Sequence, residues 1–343
     1  MRALKFVDIK TFEIQDEPIP VLKEGEVLLK IHACGICGSD VEGYLGKTGR
    51  RIPVMTMGHE FSAEIISRGP GANRFQIGDS VIVQPINFCG TCENCQKGLT
   101  NMCLNKHFFG VLSDNGAMAE YLAVPEKLLY KLPDSCNYYD GALTEPYAVA
   151  YGSVKKAGNL EGKDVLIIGA GMIGLCILQN VKLQNPNRIF MADLNNKRLE
   201  RALTLGASDV INTATGDSIE KIRALTNGKM IDFSFEAVGI EPTANLSIKS
   251  LKIGGSAVWV GMCQKEMVIN MQDIVCSARN IIGSFNYTHE EFGEVVNLMS
   301  TGKLATDALI SEIVSLADAP DAFNRLHDHP ESLMKIIIDP TIS

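Results

Sequence analysis

Four cysteines fall within fifteen residues, Cys89, Cys92, Cys95 and Cys103 in CGTCENCQKGLTNMC, separated by two, two and seven residues. Thiolates at this spacing reach tetrahedral positions around one zinc at about 2.3 Å and leave no position open, so the zinc they imply is structural. A four-cysteine iron–sulfur cluster is the competing occupant, although the intervals do not match the common ferredoxin runs. Metal binding worth on the order of 10 kcal/mol would order the long loop from Asn87 to Asn105, which carries no regular element of its own in the sequence pattern.

A second chemical signature is GAGMIG. Gly169, Gly171, Met172, Ile173 and Gly174 follow the apolar run DVLII and open an apolar helix, the context in which a glycine-rich turn binds a dinucleotide pyrophosphate. Asp193 closes the next strand, 19 residues after Gly174. A carboxylate there accepts hydrogen bonds from ribose hydroxyls and repels a 2′-phosphate, which favours NAD over NADP. Its structural alternative is a helix N-cap. Lys197 and Arg198 lie close in sequence, and Arg198 is counted with the cofactor-contacting residues.

These groups need a scaffold. The first 150 residues show short apolar runs between turn signals, at Val27–Ile31, Phe61–Ile66 and Ser80–Ile86, the texture of a small β barrel or sandwich. From Lys163 the chain alternates apolar strands (DVLII, RIFMAD, DVIN, IDFSFEAVG, SAVWVG) with helical patterns at 197–205 and 218–226. That alternation predicts right-handed βαβ units around a parallel sheet. Two helical patterns, 290–301 and 316–327, precede a last strand, MKIIID.

Composition sets the outer bounds. The chain has 343 residues, enough for about two domains, with 46% hydrophobic and 21% charged residues. The net charge of −8, without a basic block, argues against nucleic acid or an anionic membrane as the main partner and favours a small molecule. The longest apolar stretch, 165–178, is too short to span a bilayer, and the expected location is cytoplasmic. Ten cysteines in a chain of this size read as metal ligands and free thiols rather than a disulfide framework.

Cys37 in ACGICGSD and His59 in GHEFSAE each end a strand-like run. With GICGSD, GHEFSAEI, the four-cysteine loop, GDSVIV, LTEPYAVA, GAGMIG and GSFNYT in this order, the chain resembles the zinc-dependent medium-chain alcohol dehydrogenases nearly end to end. The resemblance implies an α/β protein with a GroES-like β-rich catalytic domain from both chain ends (1–148 and 286–343) and a Rossmann NAD-binding domain (149–285). It implies two zinc ions, a catalytic one on Cys37 and His59 and a structural one on the cysteine loop. By position, Glu145 supplies the third protein contact of the catalytic zinc, directly or through water, and Glu60 is a conditional ligand that exchanges with water or substrate.

A Glu at position 145 is similar to the polyol branch of the family, the sorbitol and galactitol-1-phosphate dehydrogenases. The implied reaction is hydride transfer to NAD from a secondary alcohol of a polyol, sugar phosphate, sugar acid or cyclitol, giving the ketone. The same-class rival is a threonine- or butanediol-type dehydrogenase, and the different-class rival is a zinc-ribbon binding protein. Ser39 is placed to take the hydroxyl proton, and Glu42 stands where many relatives have a relay histidine. Tyr44, Asn286 and Tyr287 align with the substrate pocket, with core aromatics and a turn residue as alternatives. Cys34 is assigned to packing. Lys47, Arg50 and Arg51 read as a solvated charge run, with phosphate or carboxylate recognition as the alternative, and His107, His289, His327 and His329 have no assigned role. Family members form homodimers or homotetramers, often through the last Rossmann strands, here near SAVWVG and EMVIN.

Overall fold

The computed structural model describes residues 1–112, 114–329 and 331–342. The chain divides into two compact units, Met1–Glu145 with Thr288–Ser343, and Pro146–Tyr287. The crossings fall at 145/146 and 287/288, three and two residues from the sequence-based expectation.

In the first unit, among the described residues, the main sheet runs in the order Leu129–Lys131, Ser80–Val83, Glu60–Arg68, Glu26–Gly35, Lys335–Ile338, Ile310–Val314, with Tyr121–Pro125 also pairing to Glu26–Gly35. The C-terminal strand joins the N-terminal domain antiparallel, at Ile337 opposite Gly35 and Ile338 opposite Cys34. On its other edge Gly35 lies opposite Glu60. The core behind these strands is continuous, with Leu29, Ile31, Phe61, Ala63, Ile336 and Ile338 all buried in one cluster. The charged N-terminal stretch, which gave no strand signal, forms a hairpin of Arg2–Asp8 and Thr11–Asp16. Alternation explains it: Leu4 and Phe6 face the core, and buried Lys5 pairs with Glu17 at 2.9 Å.

The second unit is one parallel sheet in the order Asp209–Asn212, Arg188–Asp193, Asp164–Ile168, Ile231–Glu236, Leu251–Trp259, Asn280–Gly283. Numbered along the chain this is 3-2-1-4-5-6, the doubly wound order in which a dinucleotide binds where the winding reverses, at the carboxyl ends of the central strands. Asp164–Ile168 is buried at every position, as a central parallel strand covered on both faces must be.

Candidate active site and metal centres

The strand Glu26–Gly35 delivers Cys37 to the N-cap of the short helix Gly38–Tyr44, and His59 immediately precedes the neighbouring strand, which Glu60 opens. One ligand atom from each of Cys37, His59 and Glu60 lies within 4.8 Å of the others. His59 and Glu60 are 4% and 1% exposed. A thiolate, an imidazole and a carboxylate at this separation fit one zinc and leave a tetrahedral position open, the donor set of a catalytic site.

The position of Glu60 has a local cause. A Cβ on Gly35 would sit 2.3 Å from Glu60 Oε2, so only glycine opposite Glu60 lets the carboxylate tuck in. Lys335 from the C-terminal strand, itself buried, donates to Glu60 Oε2 at 2.5 Å and to the Ile36 carbonyl at 3.0 Å. Burial alone would lower the Lys335 pKa, but the Glu60 and Cys37 charges outweigh it and raise it.

Glu145 is buried in the first turn of the helix Thr144–Ala157 and is not in the three-residue set. The carboxylate brought within reach of Cys37 and His59 is that of Glu60, which follows His59 directly and is held by register and Lys335.

Behind the ligands Asp40 forms a hub. Its Oδ2 accepts the Cys37 N–H at 3.1 Å, and its Oδ1 accepts Arg51 Nε and Nη2 at 3.0 and 2.6 Å. His59 Nδ1 faces Asp40 Oδ1 at 3.4 Å, a charge pairing rather than an aligned hydrogen bond. A carboxylate on one ring nitrogen of a ligating histidine is the usual outer-shell arrangement, and it leaves Nε2 for the metal. Burial would raise the Asp40 pKa, but His59 and Arg51 hold the carboxyl well below its usual range. Burial would lower that of His59, but Asp40 and Cys37 raise it well above the ordinary value.

Ser39 donates to Cys37 Sγ at 3.3 Å and accepts from Arg51 Nη2 at 3.1 Å. Glu42 is half-buried on the same helix. Tyr44 is drawn into the core instead: it is 5% exposed, stacks on Phe12 at 4.9 Å, and its hydroxyl donates to the Lys10 carbonyl at 3.0 Å. Cys34 is fully buried in the hydrophobic cluster, and burial pushes its thiol up. Arg51 is not a solvated charge, since only 2% of its side chain is exposed.

The cysteine loop closes on itself. Cys89 and Cys95 sulfurs are 4.0 Å apart and those of Cys92 and Cys103 3.9 Å, near the roughly 3.8 Å edge of a zinc–thiolate tetrahedron with 2.3 Å bonds. The N–H groups of Thr91 and Cys92 point at Cys89 Sγ at 3.4 and 3.3 Å, and the Cys89 N–H points at Cys103 Sγ at 3.3 Å. Such donors hold Cys89 as thiolate, its pKa pulled down to about 5. The four sulfurs fit zinc, and none of them is spare for substrate.

Beside this loop stands a residue that sequence reasoning left without a role. His289 lies 2.8 Å from the Tyr130 hydroxyl by Nδ1, contacts Gln84, and donates its backbone N–H to Thr100 Oγ1 at 2.7 Å. Asn286 adopts a left-handed φ of +49°, and Tyr287 is fully buried. Both lie at the end of the second unit.

In that unit Gly169 has φ +98°, and a Cβ there would meet Val238 Cγ2 at 2.7 Å. A Cβ on Gly174 would lie 1.7 Å from the Gly169 carbonyl oxygen, so helix Met172–Lys182 packs on its strand only with glycine there. Gly171 caps that helix, turning its first amides, with Met172 and Ile173, toward the end of the strand. Asp193 Oδ2 accepts the Ala170 N–H at 2.7 Å and Oδ1 the Asn195 N–H at 2.8 Å. The cap of the next helix is Asn195, whose side chain accepts the Arg198 N–H, so the N-cap alternative for Asp193 falls away. Arg198 Nη1 lies 4.0 Å from a Cβ built on Gly171.

Comparison with known proteins agrees with both halves. Residues 23–134 match the alcohol dehydrogenase GroES-like domain and residues 173–301 the zinc-binding dehydrogenase domain. The (R,R)-butanediol dehydrogenase of Bacillus subtilis (strain 168) is 33% identical over 353 residues, covering 99% of this chain and 100% of the relative. The sorbitol dehydrogenase of the same strain is 29% identical over 344 residues, covering 99% and 97%. A candidate zinc-binding dehydrogenase from Sinorhizobium meliloti 1021, solved bound to NADP, superposes with a TM-score of 0.91 at 28% identity over 99% of both chains. The chain belongs to the zinc-binding alcohol dehydrogenase family, with a GroES-like catalytic domain and a Rossmann nucleotide-binding domain.

Proposed function

We propose that the protein oxidises a secondary alcohol of a polyol or related hydroxylated compound to the ketone, with NAD as hydride acceptor. The observation that carries this reading is the set of half-buried Cys37 with buried His59 and Glu60, three donors of different chemistry with one position to spare. Zinc in that set would supply the Lewis acid that acidifies the alcohol hydroxyl, and NAD the acceptor for its hydride.

The chain's own residues do the rest. Ser39, against Cys37 Sγ, takes the hydroxyl's hydrogen bond, and either Glu42 on the same helix or water passes the proton onward. Asp40 keeps His59 in the orientation a ligand needs. Glu145 contacts the catalytic zinc directly or through water, by the family resemblance, and Cys89, Cys92, Cys95 and Cys103 hold a structural zinc. Asp193 bridges the two nucleotide loops and retains lone pairs for ribose hydroxyls, while its charge disfavours a 2′-phosphate. NAD is therefore the preferred cofactor, in contrast to the NADP held by the Sinorhizobium meliloti relative. Asn286 is retained as a pocket residue through the polyol resemblance, with Tyr44 and Tyr287 as core aromatics.

The second reading, a butanediol-type dehydrogenase, draws on the higher identity of that relative. NADH absorbance with a panel of sugar alcohols, sugar phosphates, aldonates, threonine and 2,3-butanediol tests both. Turnover of hydroxyl-rich substrates supports the first reading, and turnover of butanediol or threonine alone replaces it.

The exposed edge strand Asn280–Gly283, with Ile253, Val268, Met271 and Val275 each at least 68% exposed, suits a second copy of the chain, as homodimer or homotetramer. All ten cysteines are free, which suits a reducing, cytoplasmic setting. Among the described residues no helix is long and apolar enough to cross a membrane.

A further inference from the structure

We propose that Arg51 is a positioning residue of the catalytic metal centre: one guanidinium holds Asp40 against His59 and orients the Ser39 hydroxyl toward substrate. The Ser39 half rests on the reading of Ser39 above; the Asp40 half stands on the metal site alone.

Arg51 is a built-in part of the site. Its side chain is 2% exposed and that of Asp40 fully buried. A Cβ on Gly43 would lie 2.3 Å from Arg51 Cγ, so the helix carrying Ser39 and Asp40 makes room for the arginine stem through a glycine. The backbone is pinned on both sides, with the Ile52 N–H donating to the Leu112 carbonyl at 3.0 Å and the Leu112 N–H to the Arg50 carbonyl at 2.7 Å. Nη1 donates to the Arg50 carbonyl at 3.2 Å, which fixes the plane of the fork.

The fork then spends its donors on two neighbouring residues. Nε and one hydrogen of Nη2 go to Asp40 Oδ1, and the other hydrogen of Nη2 goes to Ser39 Oγ. A serine hydroxyl has one hydrogen and two lone pairs. Arg51 occupies one lone pair and the hydrogen points at Cys37 Sγ, 3.3 Å away. The remaining lone pair is what Ser39 presents, so the hydroxyl is set to accept from a substrate hydroxyl. On the other arm, Arg51 Nη2 holds Asp40 Oδ1 at 2.6 Å, the same oxygen that faces His59 Nδ1 at 3.4 Å. A lysine would deliver a point charge without the planar fork, so it can satisfy Asp40 but does not fix Ser39.

The test uses zinc-loaded full-length protein and the variants Arg51→Lys, Arg51→Met, Asp40→Asn, Ser39→Ala and Arg51→Lys/Ser39→Ala. Zinc release to a pyridylazoresorcinol chelator is followed beside kcat and KM, with D-sorbitol and (2R,3R)-butanediol as probe alcohols. Arg51→Lys is expected to release zinc within about 2-fold of the parent rate and to lower kcat about 10-fold with KM unchanged, while Arg51→Lys/Ser39→Ala falls no further than the about 100-fold loss of Ser39→Ala alone. Arg51→Met and Asp40→Asn are each expected to speed one phase of zinc release by about 10-fold or more. Asp40→Asn carries this arm if Arg51→Met fails to fold. Unchanged zinc release in Asp40→Asn overturns the His59 arm. An unchanged kcat in Arg51→Lys, or additive losses in the double variant, overturns the Ser39 arm. If the parent turns over neither probe nor any other alcohol of the panel above, the alcohol reading and its Ser39 arm fail together, while zinc release still decides the Asp40 arm.

Discussion

Replacing Cys103 by serine removes one thiolate from the four-cysteine loop while changing little else. Cys103 is 2% exposed, its sulfur accepts the Cys89 N–H at 3.3 Å, and it lies 3.9 Å from Cys92 Sγ. A structural zinc contributes about 12 kcal/mol of apparent binding, so an even share for one of four thiolates is about 3 kcal/mol. In a unit of about 200 residues, each kcal/mol moves the midpoint by roughly 2–4 °C, so Tm should fall by about 6–12 °C. Elemental analysis after dialysis against a chelator should show zinc dropping from two per chain to one, and calorimetry with zinc in the buffer should show the first unit melting early. Cys136→Ser, a thiol outside both metal groups, is the control and should shift Tm by no more than about 2 °C. A Cys103→Ser protein that keeps two zinc ions and the parental Tm would refute the reasoning, and so would iron and sulfide in the parent.

The other perturbations reach the remaining parts of the site. Asp193→Ser should raise kcat/KM for NADP relative to NAD by about 100-fold, because charge-assisted bonds to ribose are worth about 1.5–3 kcal/mol; steady-state kinetics with both cofactors checks it, and an unchanged ratio counts against Asp193. Ser39→Ala should lower kcat about 100-fold with zinc content unchanged. Lys335→Met leaves the buried Glu60 carboxylate without its ammonium and should destabilise metal-free protein by about 3–5 kcal/mol, less with zinc bound, as read by denaturant unfolding. The His289 pKa is lowered by burial first and then by Arg74 and Lys127, so unfolded chains bind more protons below pH 6.5. Its contribution is therefore present above pH 6.5 and lost as pH falls through the lower folded value; Tm of His289→Gln should depend less steeply on pH there than that of the parent.

The second unit was legible because each strand signal is local. DVLII and RIFMAD are short apolar runs, and glycines at 169 and 174 have backbone reasons to be there. The helix Glu241–Lys249 escaped notice because EPTANLSIK carries Pro, Thr, Asn and Ser, poor helix formers without a clear apolar stripe. It is held by tertiary contacts, among them the bond from Trp259 Nε1 to Ser247 Oγ at 2.9 Å. Ile310–Val314 was missed for a related reason: as a half-exposed strand it has little apolar signal of its own and is recruited by pairing with Lys335–Ile338.

At the metal centre, Cys37 and His59 were readable from their motifs, but the ranking of Glu60 against Glu145 was not. It depends on the pairing of Gly35 with Glu60 and on Lys335, 275 residues further along the chain. The lysine in MKIIID is the one local hint, a charge inside an otherwise apolar strand. Arg51 is the same lesson in reverse, since in sequence it sits among charged loop residues and only its path back to Asp40 shows it to be buried.

The most direct test of the account is a crystal of the zinc-loaded protein measured at the zinc absorption edge, together with NADH formation by the same preparation. The account predicts an anomalous peak within bonding distance of Cys37, His59 and Glu60, a second amid the four cysteines, and alcohol oxidation that disappears when the first zinc is removed. A zinc beside Cys37 and His59 with Glu60 beyond bonding distance, or no peak beside Cys37 and His59 in an active enzyme, would contradict it.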